Sequence, residues 1–64
     1  MEKPIAGDYV KLTESPRADI PAPQYCKVVV AIETGIVANC YSTNLNTLCP
    51  TYLHRGYEVM PRKD

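Results

Sequence analysis

The stretch Tyr25-Cys26-Lys27-Val28-Val29-Val30-Ala31-Ile32-Glu33-Thr34-Gly35-Ile36-Val37-Ala38-Asn39-Cys40-Tyr41-Ser42 decides how this chain is read. Cys26, Val28, Val30 and Ile32 alternate with Lys27, Val29, Ala31 and Glu33, and Ile36, Ala38, Cys40 and Ser42 repeat the pattern beyond Thr34-Gly35. Side chains two apart share one face of a strand, so the pattern predicts two strands joined by a tight turn. With Gly35 in the left-handed conformation, Glu33-Thr34-Gly35 makes a three-residue hairpin loop with a bulge. That loop sets Ile32 against Ile36, Val30 against Ala38 and Val28 against Cys40. The second face carries Val29, Val37 and Tyr41, which is apolar enough for the hairpin to be covered on both sides.

Upstream, Asp8, Val10 and Leu12 alternate with Tyr9, Lys11 and Thr13, the pattern of a short half-exposed strand. Residues 1–7 have no periodicity and read as a lead-in. Residues 14–24 form a proline-rich loop, because Pro16, Pro21 and Pro23 each remove a ladder donor and restrict the residue before them. Downstream, Thr43 to Thr47 reads as a turn or a brief strand around Leu45. Pro50 is suited to open a single 3₁₀ or short helical turn that Gly56 ends, with His54 and Arg55 near its negative end. Tyr57-Glu58-Val59-Met60 is a last short strand, stopped by Pro61, and 62–64 is a charged tail.

The expected fold class is therefore mainly β: one domain over 1–64, with about five short strands and one helical turn before the last. An open hairpin of this size cannot cover its own faces, and closing the strands into a small barrel does so. The layout resembles the SH3-like barrels of small bacterial and phage proteins, on the strength of Gly7-Asp8-Tyr9-Val10-Lys11-Leu12 at the opening and Tyr57-Glu58-Val59-Met60-Pro61 at the close. That resemblance implies a barrel across nearly the whole chain. A peptide-binding groove of that family stacks prolines on a Trp and tyrosines beside an acidic loop. Here the Trp and that loop are missing, so binding of proline-rich ligands is not expected.

Composition agrees with a folded β domain. Apolar residues make up 45% of the 64 positions and are weighted toward Val, Ile and Tyr, which suit a pleated, half-buried surface. Seven basic and seven acidic side chains cancel, so no overall field draws the chain to phosphate backbones or anionic membranes. The opening Met-Glu-Lys-Pro lacks the features of a signal peptide and no apolar run reaches membrane-spanning length, which predicts a cytoplasmic protein. Three cysteines, an odd number at irregular spacing, point to reduced thiols.

Three chemistries compete for the polar and aromatic residues. All five aromatic residues are tyrosines, amphipathic side chains enriched at interfaces, and Tyr9 and Tyr41 fall on expected outer faces. The leading reading is a non-enzymatic module that docks onto another protein or onto itself through Tyr9, Arg17, Ile20, Tyr41 and Tyr52, by an exposed face, the proline arm or strand addition. Ile20, set among the prolines, either pins the arm to the barrel or anchors a partner. The second reading is a nucleic-acid-associated barrel using Lys11, Lys27, Arg55, Arg62 and Lys63 beside exposed tyrosines. The third is a zinc-stabilised or thiol-using domain built on Cys26, Cys40, Cys49 and His54, the ligand count of a structural zinc site. Against zinc, the paired Cys-x₂₋₄-Cys knuckle is missing, and Cys26 and Cys40 fit the hairpin core as small hydrophobes, so no cofactor is expected. A Cys49–His54 nucleophile pair across one turn has no glycine-rich oxyanion loop to support it, and the chain is not expected to be an enzyme.

Overall fold

The computed structural model describes residues 3–61. Five antiparallel strands form one sheet: β1 (Tyr9–Leu12), β2 (Gln24–Ile32), β3 (Gly35–Ser42), β4 (Thr47–Leu53) and β5 (Tyr57–Val59), in the order β4-β3-β2-β1-β5. There is no helix among the described residues, and hence none long and apolar enough to cross a membrane.

The inner face follows the period of two on every long strand. Val10 and Leu12, Cys26 and Val28, Ile36, Ala38 and Cys40, and Leu53 are all buried, with Ser42 and Thr51 continuing their rows. Among the described residues no helix or second sheet covers these side chains. The sheet must therefore curl around them into a barrel-like shape, and the proline arm closes the remaining gap: Ile20 from that arm is itself part of the core.

β2 makes the curl, because it serves two neighbours in turn. Its first half pairs with β1 from Leu12↔Gln24 to Tyr9↔Lys27, and its second half pairs with β3 from Lys27↔Asn39 onward. Between Val28 and Val30 the register slips by a β-bulge. Beyond the bulge Val30 opposes Val37 and Ile32 opposes Gly35, so the turn is the two-residue Glu33-Thr34. The expected three-residue loop and its register are thus corrected. Gly35 is a strand residue, and no positive φ is found at 33–35. The extra residue at the bulge also turns Val30 and Ile32 outward, where both are exposed, instead of into the core with Val28.

Gly35 is needed for another reason. A Cβ there would collide with the carbonyl oxygen of Leu53 and lie 3.1 Å from the His54 Cα, so β4 can reach the end of β3 only past a glycine.

The helical turn expected from Pro50 to Gly56 does not form. Thr47 to Leu53 is strand β4, paired with β3 from Ser42↔Thr47 to Ile36↔Leu53, and only a bend at 54–56 precedes β5. The extended state wins because Cys49, Thr51 and Leu53 alternate with Leu48, Pro50 and Tyr52, and because β3, paired with β2 on one side, offers its other edge. Proline is tolerated on an edge strand, where its missing N–H faces outward. The 43–46 loop is a turn: Asn46 takes φ 55° and its N–H donates to the Ser42 carbonyl at 2.8 Å.

Candidate interaction surface

The same alternation that fills the core lays out the opposite face. On β2, β3 and β4 the outward positions line up across strands by register: Val30 with Val37 and Tyr52, Lys27 with Asn39 and Pro50, and Tyr41 with Leu48. Val29, Val30, Tyr41, Leu48 and Tyr52 are all exposed, Leu48 by 60%, and Leu45 in the adjoining loop by 61%. Lys27 and Asn39 are the polar positions in these rows. Contiguous exposed apolar surface of this kind marks interaction sites in folded proteins. The expected second cover over Val29, Val37 and Tyr41 is not supplied by the described residues.

Two tyrosines on this face are held by their hydroxyls. Tyr52 Oη donates to Thr34, with the carbonyl oxygen at 3.0 Å and Oγ1 at 2.9 Å, and Tyr41 Oη donates to Asn46 Oδ1. These hydroxyl contacts restrain the two rings, and such pre-ordering lowers the entropy lost on binding. Tyr9 lies on the outer face of β1 opposite Lys27, and Tyr25 is opposite Lys11, both exposed.

The β4 edge of the sheet is less available. Tyr41 turns its backbone N–H and C=O toward β2, so Cys40 and Cys49 face each other in the β3–β4 ladder. Leu48, Pro50 and Tyr52 then direct their backbone groups to the open side. Pro50 interrupts that edge with no N–H, a common guard against a strand being added.

Other candidates are distributed differently. Ile20 is fully buried, so it pins the arm and drops out of the contact set. Arg17 is exposed at the arm's rim, but its guanidinium is engaged by Asp19 at 3.2 Å and by the Cys49 sulfur at 3.6 Å. Asp19 ties the arm down further: its carboxylate accepts from Ser42 Oγ at 2.6 Å and its carbonyl from the Thr43 N–H at 2.8 Å. The Ser42 bond, and secondarily Arg17, hold the Asp19 pKa below its ordinary value.

The basic set is not gathered into one site. Lys11 sits opposite Tyr25 and Glu58, Lys27 opposite Tyr9 and Asn39, and Arg55 in the bend after β4. Arg62 and Lys63 lie outside the described residues. A shallow cleft of about 300 Å³ between the arm and that bend is lined by Glu14, Pro16, Tyr52, His54 and Arg55, with charges of opposite sign.

The zinc set divides. Cys26, Cys40 and Cys49 share the inner face, whereas the His54 ring stacks on Tyr52 with centroids 5.9 Å apart on the other face. Cys49 and His54 therefore do not form the considered nucleophile pair. Among the described residues no group of three or more His, Cys, Asp or Glu side chains is arranged to hold a metal ion.

The residues that sequence reasoning missed are Val30, Leu48 and Pro50. The alternation of β4 was present in the sequence, but it is apolar on both faces and contains a proline, which reads equally as the first residue of a helical turn. No family model, no curated protein and no solved structure matches this chain.

Proposed function

We propose that this chain is a non-enzymatic protein-interaction module of the cytoplasm, a small SH3-like barrel that docks onto another protein through the outer face of β2, β3 and β4. The observation that carries the reading is the outward row of Val30, half-buried Val37 and Tyr52 beside Tyr41 and Leu48, an apolar face in which Val30, Tyr41, Leu48 and Tyr52 are exposed. The held tyrosines supply rigid anchors of the type that dominates interface energetics. Tyr9 and Lys27 border the face and Arg17 lies at the arm's rim. Dispersed basic groups give the nucleic-acid reading less support, since phosphate binding requires charge gathered on one face.

The test is capture of partners from a lysate of the source cell by the tagged chain, with and without nuclease, at low and high salt, alongside the double variant Tyr41→Ser, Leu48→Ser. One protein recovered by the parent chain in all conditions and lost by the variant, with the variant's circular dichroism unchanged, supports the proposal. Recovery that depends on nucleic acid replaces it with the second reading. A dimer of the purified chain that the variant dissociates replaces the foreign partner with a second copy, and capture undiminished by the variant removes the face from the account.

A further inference from the structure

A net charge of zero conceals an uneven distribution. The outward positions of β1 through β4 carry two cations, Lys11 and Lys27, and no carboxylate. The described acids sit elsewhere. Asp8 is buried, Glu14 and Asp19 belong to the arm, and Glu33 and Glu58 border the face in the β2–β3 turn and on β5. Among the described residues no ion pair or side-chain hydrogen bond engages either ammonium, although Glu58 lies opposite Lys11 in the ladder.

The two lysines are neighbours on the sheet. Lys11 opposes Tyr25 and Lys27 opposes Tyr9, so the lysines occupy one diagonal of a four-residue patch and the exposed tyrosines the other. Diagonal neighbours of this kind stand about 7–8 Å apart. Lys27 also opposes Asn39, and two residues before Asn39 comes Val37, in the apolar row with Val30 and Tyr52. One oblique line across three strands therefore runs Lys11, Lys27, Val37: cation, cation, apolar. Alternate side chains of an extended peptide share a face at steps of about 6.4–6.8 Å, close to the step of this line.

We propose, resting on the docking reading above, that the occupant of this face is an extended acidic segment of the partner, with carboxylates at two alternate positions and a large apolar side chain at the next. The carboxylates accept hydrogen bonds from Lys11 and Lys27, and the apolar side chain packs over Val37 between exposed Val30 and Tyr52. Charge complementarity of this kind sets specificity and association rate more than raw affinity. A neutral or basic segment could use the apolar row but would leave both lysines unanswered. Single-stranded nucleic acid would bring phosphates to the lysines and bases to the tyrosines, but the third position on the line is aliphatic and offers neither a ring nor a cation.

The probe is a display library of short random peptides panned on the tagged chain, the selected peptides then being titrated by fluorescence polarisation. They should share the acid-x-acid-x-apolar spacing, bind more weakly at high salt, and bind roughly tenfold more weakly to the double variant Lys11→Gln, Lys27→Gln. Converting the two carboxylates of a selected peptide to amides should cost the same factor on the parent chain, a readout that does not depend on the variant's folding. Selected peptides without spaced acids, or whose affinity ignores both changes, overturn the acidic segment; if Val30→Ser still weakens their binding, the docking face itself stands. An oligothymidylate that binds more tightly than any selected peptide, and is lost with the lysine variant, overturns the proposal in favour of nucleic acid. A library that yields no binder also overturns it, while capture from lysate decides the docking reading separately.

Discussion

The side-chain amide of Gln24 holds both backbone polar groups of Tyr41: its Oε1 accepts from the Tyr41 N–H at 2.9 Å and its Nε2 donates to the Tyr41 carbonyl at 3.3 Å. The register Lys27↔Asn39 would place Tyr25 there, but β2 has by then turned to β1, and Gln24 replaces the missing strand. Nε2 also donates to the Pro21 carbonyl at 2.8 Å, which joins the arm to the same corner. Gln24→Ala should therefore cost about 1–3 kcal/mol, from hydrogen bonds of about 1 kcal/mol each. Urea unfolding measures it, and a Gln24→Ala midpoint equal to the parent's would show that water serves Tyr41 equally well.

Ile20 has no periodic pattern around it and is nonetheless in the core. The Ile20 N–H donates to the Arg17 carbonyl at 3.1 Å, and Ser15 Oγ donates to the Ile20 carbonyl at 2.6 Å, so a tight loop delivers the side chain inward. Ile20→Ala is expected to lose about 2–5 kcal/mol, the range for truncating a buried Ile. In a domain this small that is a large share of the total stability of about 5–15 kcal/mol. Thermal melts of the two chains give the difference; a loss below about half a kcal/mol would place Ile20 outside the core.

Asp19 makes stability depend on acid. Its folded pKa is lowered from the ordinary 3.8, chiefly by the Ser42 hydroxyl, so folding favours the carboxylate. The contribution is complete above the unfolded value and disappears as pH falls through the folded one. Asp19→Asn should be less stable than the parent at neutral pH, with the gap closing below pH 3.8. Unfolding midpoints measured from pH 7 to pH 2 would read this, and a constant gap would mean that the Ser42 contact does not discriminate the charged form.

Gly35→Ala should destabilise although glycine is ordinarily unfavourable in a strand. The new methyl would meet the Leu53 carbonyl, a backbone atom fixed by the β3–β4 ladder, and overpacking of this kind costs about 1–3 kcal/mol. Equal or greater stability by denaturant titration would mean that the end of β4 can move aside.

The alternation from Tyr25 to Ser42 and from Asp8 to Leu12 was enough to specify a β domain with Val10, Leu12, Cys26, Val28, Ile36, Ala38 and Cys40 inside, because period-two burial is a local property of each strand. What lay between strands was not local. The bulge at Val29, which turns Val30 outward, answers to the twist the curled sheet needs. Pro50 belongs to a strand only because β3 offers it an edge. Ile20 became core and Gln24 became a strand surrogate because the sheet opens at a corner that no single segment defines. The thiols at 26, 40 and 49 look unrelated along the chain and fall in one row because two antiparallel registers carry them there. Residue chemistry and periodicity thus sufficed for the strands and their faces, while register, which depends on how neighbouring strands pair, decided which side chains meet.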